Sequence, residues 1–284
     1  MTLLSLRAGR LALDLAPQAG GSIAGLSVDG VGEVLRPMTV EAAASQCGSE
    51  AACYPLVPFS NRIAEGRLAF DGQERRLAAN WPGQRHPMHG EGWARSWRVA
   101  RRGGDVAELI HEHDGVTGWP FRYRARQTFQ LADDALSVGM MLENLEPRVV
   151  PGGIGLHPFF VRDDDTELAF QAASVWLADA ELLPTERAAV PSRWDYAAPR
   201  RVQSGLDNCF EGWDGSASIV WPRRGLRLTL QASLPFRHLV VYTPPDRPYF
   251  CVEPVSHANG KVGEALLAPG AALAGDVVFR LSAL

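Results

Sequence analysis

Two titratable residues that each stand directly before a proline are the best candidates for chemistry in this chain. His157 lies in the segment GIGLHPFF and Glu253 lies in the segment CVEPVSHANG. A proline biases the residue before it toward an extended backbone, so we expect both residues at a strand end or at the turn that follows. Their apolar neighbours predict partial shielding from water, where pKa values shift readily. The two residues are therefore a candidate acid and base that could face each other across a cleft.

The elements that must position these residues have the pattern of β-strands. The 28 glycines and 20 prolines are spread along the 284 residues and separate short runs of alternating apolar side chains, which is typical of β-proteins. Hairpins are predicted around the turns at residues 132–134 and 222–225, and only residues 39–45 and 178–183 favour short helices. The sequence predicts one all-β domain over residues 1–284, built as a large sandwich of antiparallel sheets.

Composition and charge exclude several classes of partner. The hydrophobic share of 46% and the charged share of 21% are ordinary for a globular protein. A net charge of -4 offers no attraction for nucleic acid or for an anionic membrane, so neither is expected as a partner. No signal peptide or membrane span is evident, and four cysteines without a CxxC pair are expected to be reduced and mostly buried. These features favour a cytoplasmic protein.

Three patterns could suggest a metal site. His86 and His89 form HxxH, His111 and His113 form HxH, and an acidic run occupies residues 163–165. Alternate residues of a strand share one face, which would suit a metal. However, the HxH pair is interleaved with acidic residues on what we interpret as an exposed strand end, and the acidic run is interpreted as a solvated loop. No metal and no cofactor is therefore expected.

Five short motifs, taken together, resemble those of a known family. They are NRI at Asn61, HG at His89, HPFF at His157, LDNCF with Asp207, and EP at Glu253. In this order, over about residues 55 to 260, they are similar to the aldose 1-epimerase (galactose mutarotase) family. Each motif alone is weak, but five in sequence are specific.

The resemblance implies a β-supersandwich fold and the cofactor-free interconversion of α and β anomers of a sugar. Residue by residue, it implies Glu253 as the general base and His157 as the general acid. It implies that Arg62, His89 and Asp207 bind the sugar hydroxyls and the ring oxygen, and that Asn61 supports them. The expected partner is a monosaccharide substrate, and the protein is expected to be a monomer or a homodimer.

Anomer exchange requires residues of these types. A base takes the proton from the C1 hydroxyl while an acid protonates the ring oxygen, and aromatic side chains such as Trp93, Trp119 or Phe159 could form a platform for the sugar. An unperturbed histidine has a pKa of about 6.5 and is mostly uncharged at neutral pH. We therefore hypothesise that a neighbouring carboxylate, Asp207 or Glu253, raises the pKa of His157.

Several alternatives remain open at this stage. A relative that acts on a hexose phosphate would need an arginine cluster, to which Arg62 and Arg85 could contribute. A non-catalytic sugar-binding module could use the same fold. His157 could be a structural histidine, and Arg62 could be a surface arginine paired with Glu65. The preferred sugar is not specified by the sequence.

Overall fold

The computed structural model describes residues 3–284, which form 24 β-strands and one short α-helix. The first strands are β1 (Leu4–Ala8), β2 (Leu11–Ala16), β3 (Ser22–Val28), β4 (Gly32–Glu33), β5 (Cys53–Leu56), β6 (Arg67–Phe70), β7 (Gln73–Arg76) and β8 (Arg98–Arg102). They continue with β9 (Val106–His113), β10 (Tyr123–Leu131), β11 (Ala135–Asn144), β12 (Val150–Pro151), β13 (Gly155–Val161), β14 (Glu167–Phe170), β15 (Ser174–Ala178) and β16 (Pro184–Ala188). The last are β17 (Arg200–Arg201), β18 (Leu206–Glu211), β19 (Ser216–Trp221), β20 (Leu226–Ala232), β21 (His238–Thr243), β22 (Tyr249–Val255), β23 (Leu266–Leu267) and β24 (Ala272–Ala283). Helix α1 spans Val40–Ala44, and single 3-10 turns occupy Gly48–Glu50, Ala64–Gly66, Gly92–Ala94, Ser192–Trp194, Pro222–Arg224 and Val262–Glu264.

Two large antiparallel sheets contain most of these strands. The larger has the order β1-β2-β3-β5-β13-β22-β21-β18-β15-β16, with β4 added beside β3. The second has the order β17-β14-β19-β20-β24-β11-β10-β9-β8. Two small pairs, β12-β23 and β6-β7, complete the fold. The predicted all-β sandwich of antiparallel sheets is therefore confirmed.

The main core lies between the two large sheets. Phe160 of β13 and Phe279 of β24 meet there, with ring centroids 6.1 Å apart. Because side chains alternate between the two faces of a strand, His157 and Phe159 of β13 lie on the face away from this core. On β22 the same alternation places Glu253 on that outer face.

The local predictions from turn chemistry have mixed outcomes. The hairpins β10–β11 and β19–β20 form where predicted, and Thr39 caps α1 by accepting a hydrogen bond from the backbone of Ala42 at 3.1 Å. The helix predicted at residues 178–183 is wrong, because this segment is the turn between β15 and β16. The Asp179 carboxylate accepts hydrogen bonds from the backbone N–H groups of Glu181 and Leu183 there, which stabilises a turn in place of a helix.

Among residues 3–284, no helix is long and apolar enough to cross a membrane.

Candidate active site

The two acid–base candidates lie side by side in the middle of the large sheet. His157 is on β13 and Glu253 is on the adjacent strand β22. Nε2 of His157 is 3.3 Å from Oε1 of Glu253. Both residues are buried, with 7% and 2% of their surface exposed. The structure therefore brings the two sequence-predicted residues into direct contact.

Prolines interrupt the sheet at this contact. Strands β13 and β22 pair at Gly155–Val255 and resume at Phe159–Cys251, so His157 and Glu253 occupy the gap between these pairs. Each of the two is followed by a proline, which has no N–H to donate to a sheet ladder. The missing donors explain why the ladder is interrupted where the two side chains meet.

Burial shifts the pKa values of this pair in opposite directions. Burial lowers the pKa of His157 well below its ordinary value, and His89 and Arg36 lower it further. Burial raises the pKa of Glu253 well above its ordinary value, with a further increase from Asp207 and an opposing effect from Arg62. The hypothesis that a carboxylate raises the pKa of His157 is therefore wrong. Low dielectric disfavours both charged forms, so a neutral imidazole beside a protonated carboxyl group is the favoured state.

A buried loop places Arg62 beside the pair. Asn61 is 4% exposed and Arg62 is 8% exposed, so the interpretation of Arg62 as a surface arginine is wrong. Oδ1 of Asn61 accepts hydrogen bonds from the backbone N–H of Arg62 at 2.9 Å and from Nη1 of Arg62 at 3.4 Å. Nε of Arg62 is buried and has no hydrogen-bond partner within residues 3–284. Asn61 thus supports Arg62 while a donor of the guanidinium stays unengaged.

His89 has a defined protonation state. Its Nδ1 accepts a hydrogen bond from the backbone N–H of Asn61 at 3.1 Å, so in the neutral ring the hydrogen is on Nε2. Burial and the nearby Arg62 lower the pKa of His89 to about 3. The ring lies edge-on to His157, with centroids 5.3 Å apart. His89 is therefore a neutral hydrogen-bond donor beside the acid–base pair.

Asp207 adds a carboxylate from β18. It pairs with Tyr242 of β21 in the sheet, so its backbone is held in a strand. Burial raises its pKa above the ordinary value, and Arg62 opposes this shift.

A cavity of about 390 Å³ joins these groups. All six sequence-predicted site residues line it, namely Asn61, Arg62, His89, His157, Asp207 and Glu253. Its size is within the range of small-molecule sites. Of the three aromatic platforms predicted from the sequence, Phe159 lines this cavity, whereas Trp119 borders a different one. Trp93 is buried beside Tyr54 and Trp81, which do line it.

Sequence reasoning missed several residues of this cavity, among them Tyr54 and Arg36. Tyr54 on β5 is directly opposite His157 in the sheet, with ring centroids 4.6 Å apart. It also stands directly before a proline, so the pattern that identified His157 and Glu253 could have found it. Arg36 lies over the Phe159 ring at 3.9 Å and carries no comparable signal in the sequence.

The patterns considered for metal binding are not assembled into a site. His111 and His113 are buried on β9, so their interpretation as part of an exposed strand end is wrong. Asp163 forms a salt bridge with Arg224. A different set, His157, Cys251 and Glu253, has ligand atoms that all lie within 4.8 Å of one another, and these residues could hold a metal ion. The expected absence of a metal stays a prediction. The four cysteines are free and three of them are buried, as the sequence predicted.

Comparison with known proteins assigns the family. The family model for aldose 1-epimerase matches residues 2–280, so the chain belongs to the aldose 1-epimerase family. The chain is 32% identical over 297 residues to Uncharacterized protein YphB of Escherichia coli (strain K12), covering 99% of both sequences. It is 27% identical over 135 residues to Uncharacterized protein YihR of the same organism, covering 46% of this chain and 44% of that one.

Solved structures share the fold along the whole chain. A candidate aldose 1-epimerase of Escherichia coli K12 matches with a TM-score of 0.92 and 30% identity, covering 100% of this chain and 99% of that one. A galactose mutarotase-like protein of Clostridium acetobutylicum matches with a TM-score of 0.86 and 17% identity, covering 99% of this chain and 95% of that one. The expected galactose mutarotase-like fold is confirmed.

Proposed function

We propose that this protein is a mutarotase that interconverts the α and β anomers of a free aldose. The observation that carries this proposal is the contact between His157 and Glu253 on the wall of a cavity whose other polar groups suit hydroxyl groups. Arg62 and His89 offer donors, and Asp207 offers an acceptor. Membership of the aldose 1-epimerase family supports the same reaction class.

The reaction needs one proton to be removed and one to be supplied. The Glu253 carboxylate takes the proton of the C1 hydroxyl, the electrons of that O–H bond form the C1 carbonyl, and the bond between C1 and the ring oxygen breaks. The protonated His157 imidazole gives its proton to the ring oxygen. Rotation about C1–C2 and the reverse steps close the ring with the opposite configuration.

The opposite pKa shifts of the pair suit this exchange. The two residues in contact hold one titratable proton between them, as imidazolium with carboxylate or as neutral imidazole with carboxyl group. Burial lowers the pKa of His157 and raises that of Glu253, which favours the neutral form of the pair more than water does. Transfer of the Glu253 proton to His157 across their 3.3 Å contact gives the carboxylate and the imidazolium with which ring opening begins.

The charges around the cavity favour a free sugar over a hexose phosphate. Arg85 lies outside the cavity, is exposed, and pairs with Glu65 and Glu181. Arg62 and Arg36 line the cavity together with the carboxyl groups of Asp207 and Glu253. This mixed arrangement is not the arginine cluster that a phosphate group would require.

Polarimetry tests the proposal directly. Fresh α-glucose and α-galactose are followed with and without protein, and Glu253→Gln and His157→Asn are measured beside the native chain. We expect acceleration of mutarotation for at least one aldose and strong losses in both variants. The absence of acceleration for any aldose, together with tight binding of a sugar in calorimetry, would replace the mutarotase by a sugar-binding module.

A further inference from the structure

Three buried imidazoles hold the loop that carries Arg62. Residues 60–65 lie outside the strands, so their backbone N–H groups need partners other than a sheet ladder. Three of these N–H groups donate to histidine rings: Ser60 to Nε2 of His257 at 3.2 Å, Asn61 to Nδ1 of His89 at 3.1 Å, and Glu65 to Nδ1 of His86 at 2.9 Å. The loop therefore depends on imidazole nitrogens that accept hydrogen bonds.

His257 has a fully determined hydrogen-bonding state. Its Nδ1 lies 2.8 Å from the carbonyl oxygen of Ala258, which can only accept, so the ring hydrogen is on Nδ1. Its Nε2 must then be unprotonated to accept from Ser60. The side chain is completely buried, and burial lowers its pKa to about 4.

The position of this ring connects the three catalytic segments. His257 follows Glu253 by four residues, and its ring lies against Gly153, which precedes His157 by four residues. A Cβ atom at Gly153 would lie only 2.2 Å from Cδ2 of His257, so only glycine leaves room for the ring. Ser60, which donates to the ring, precedes Arg62 by two residues.

The loop itself requires such support. Asn61 has a φ of 55°, in the left-handed region that a residue with a side chain adopts only when its surroundings hold it there. Its N–H and carbonyl groups both bond to His89, and the N–H of the preceding Ser60 is fixed by His257. Loss of the His257 acceptor would therefore release the loop at its N-terminal end.

We propose that His257 is a positioning residue of the active site, whose neutral imidazole holds the Ser60–Arg62 loop against the strands that carry His157 and Glu253. His257 does not line the cavity, so it acts through these neighbours and does not touch the sugar. The proposal rests on the proposed function, because the positioned groups are the ones assigned to mutarotation.

Two substitutions separate positioning from simple filling of space. His257→Leu keeps an apolar side chain of similar size without an acceptor, whereas His257→Gln has an oxygen that can accept from Ser60. His111→Leu is the matched control, because His111 is another buried histidine but lies outside the cavity. We expect His257→Leu to lower kcat/KM about 100-fold, the loss typical of misplaced reacting groups, with KM raised and kcat lowered. His257→Gln should recover most of this loss, and His111→Leu should leave kcat and KM unchanged.

Equal losses in the Leu and Gln variants, or native kinetics in His257→Leu, would overturn the proposal. Nitrogen NMR of the native imidazoles supplies a readout that does not depend on activity. At pH 7 we expect the hydrogen of His257 on Nδ1 and that of His89 on Nε2, and the opposite arrangement at His257 would also overturn the proposal. The expected tautomers in a chain that accelerates no mutarotation would instead locate the failure in the proposed function.

Discussion

Two buried contacts between histidine and glutamate occur within residues 3–284. In the large sheet Nε2 of His157 lies 3.3 Å from Glu253. In the second sheet His113 of β9 has its Nδ1 3.6 Å from Oε2 of Glu91. All four side chains are less than one-tenth exposed, so burial and proximity alone do not distinguish the two pairs.

The surroundings of the two pairs differ. Glu91 is held by Arg95 at 3.0 Å, and Nε2 of His113 donates to the carbonyl oxygen of Trp119 at 2.7 Å. Gly118 leaves the space that the Glu91 carboxylate occupies, since a Cβ atom at residue 118 would lie only 1.2 Å from Oε1 of Glu91. The cavity beside Glu91 is about 190 Å³, roughly half the volume of the one beside Glu253.

The comparison shows what converts such a contact into a candidate catalytic pair. The Glu91 carboxylate and the His113 ring already have partners that fix their position. The pair of His157 and Glu253 instead borders the larger cavity, together with Arg62. A contact with access to a cavity of ligand size is available for chemistry, whereas a contact whose two members are held by other groups stabilises the fold.

The largest expected effect comes from neutralising the two glutamates in turn. Glu253→Gln should lower kcat by about 10²–10⁴-fold, because it removes a general base, and it should not lower the melting temperature. Glu91→Gln should leave kcat unchanged but destabilise the fold by about 1–3 kcal/mol, because Arg95 and His113 lose a charged partner. Polarimetry and thermal unfolding on both variants make the test. Similar losses of kcat in the two variants would remove the distinction between the pairs.

A smaller effect is expected from the two arginines beside the pairs. Arg62→Leu should raise KM about 10- to 100-fold, because a hydrogen bond from a charged group to the substrate is worth roughly 1.5–3 kcal/mol. Arg95→Leu should leave KM unchanged, since Arg95 binds Glu91 and does not line the larger cavity. Initial rates over a range of aldose concentrations give KM. A native KM in Arg62→Leu would contradict the assignment of Arg62 to substrate binding.

Acid should destabilise both regions together. The pKa is lowered to about 3 for His89 and to about 4 for His111 and His257, so below pH 6.5 the unfolded chain binds protons that the folded chain does not. The free energy of unfolding then falls as the pH falls, by up to about 1.4 kcal/mol per pH unit for each histidine. The raised pKa values of Glu253 and Asp207 act in the opposite direction, but the three histidines outnumber these two carboxyl groups.

Urea unfolding between pH 7 and pH 4.5 measures this dependence. His111→Gln should reduce the slope of the free energy of unfolding against pH by the contribution of one histidine. It should leave the pH profile of mutarotation unchanged, because residue 111 lies outside the larger cavity. A free energy of unfolding that stays constant over this range would show that these histidines are protonated equally in both states.

The smallest expected effect is that of a chelator. Acid–base ring opening by His157 and Glu253 needs no metal, so EDTA followed by dialysis should leave kcat unchanged. Loss of activity that zinc restores, but not in Cys251→Ser, would instead assign a metal to His157, Cys251 and Glu253, whose ligand atoms lie within 4.8 Å of one another.

Much of the site could be predicted from the sequence because local rules and motif order determine it. The prolines after His157 and Glu253 indicated extended backbone, and both residues are in strands. The expected position at a strand end is wrong, because each residue lies inside its strand and the proline interrupts only the ladder. The same rule applied to Tyr54 would have added the third strand, but a phenol was not considered as a candidate acid or base. Motif order supplied Arg62 and Asp207, which no local rule would have placed beside the pair.

The remaining features depend on contacts between distant segments. The direction of the pKa shift of His157 is set by burial and by its neighbours His89 and Arg36. The burial of a single side chain cannot be predicted from the residues next to it in the sequence. His113 was interpreted as exposed because acidic residues flank it, but alternation on β9 turns those residues to the other face. His257 was missed for the same reason, because its partner Ser60 is 197 residues away.

Under the proposed mechanism, the direct contact of His157 with Glu253 determines how the protein exchanges protons with its medium. Dissolved acids and bases speed the spontaneous reaction of sugars in water, so that its rate rises with buffer concentration. Here the hydrogen that one side chain gains replaces the hydrogen that the other has given up, and each turnover leaves the two residues together as they began. The rate with protein should accordingly be the same in dilute and in concentrated buffer. Forward and reverse anomerisation should proceed without protons from outside the cavity.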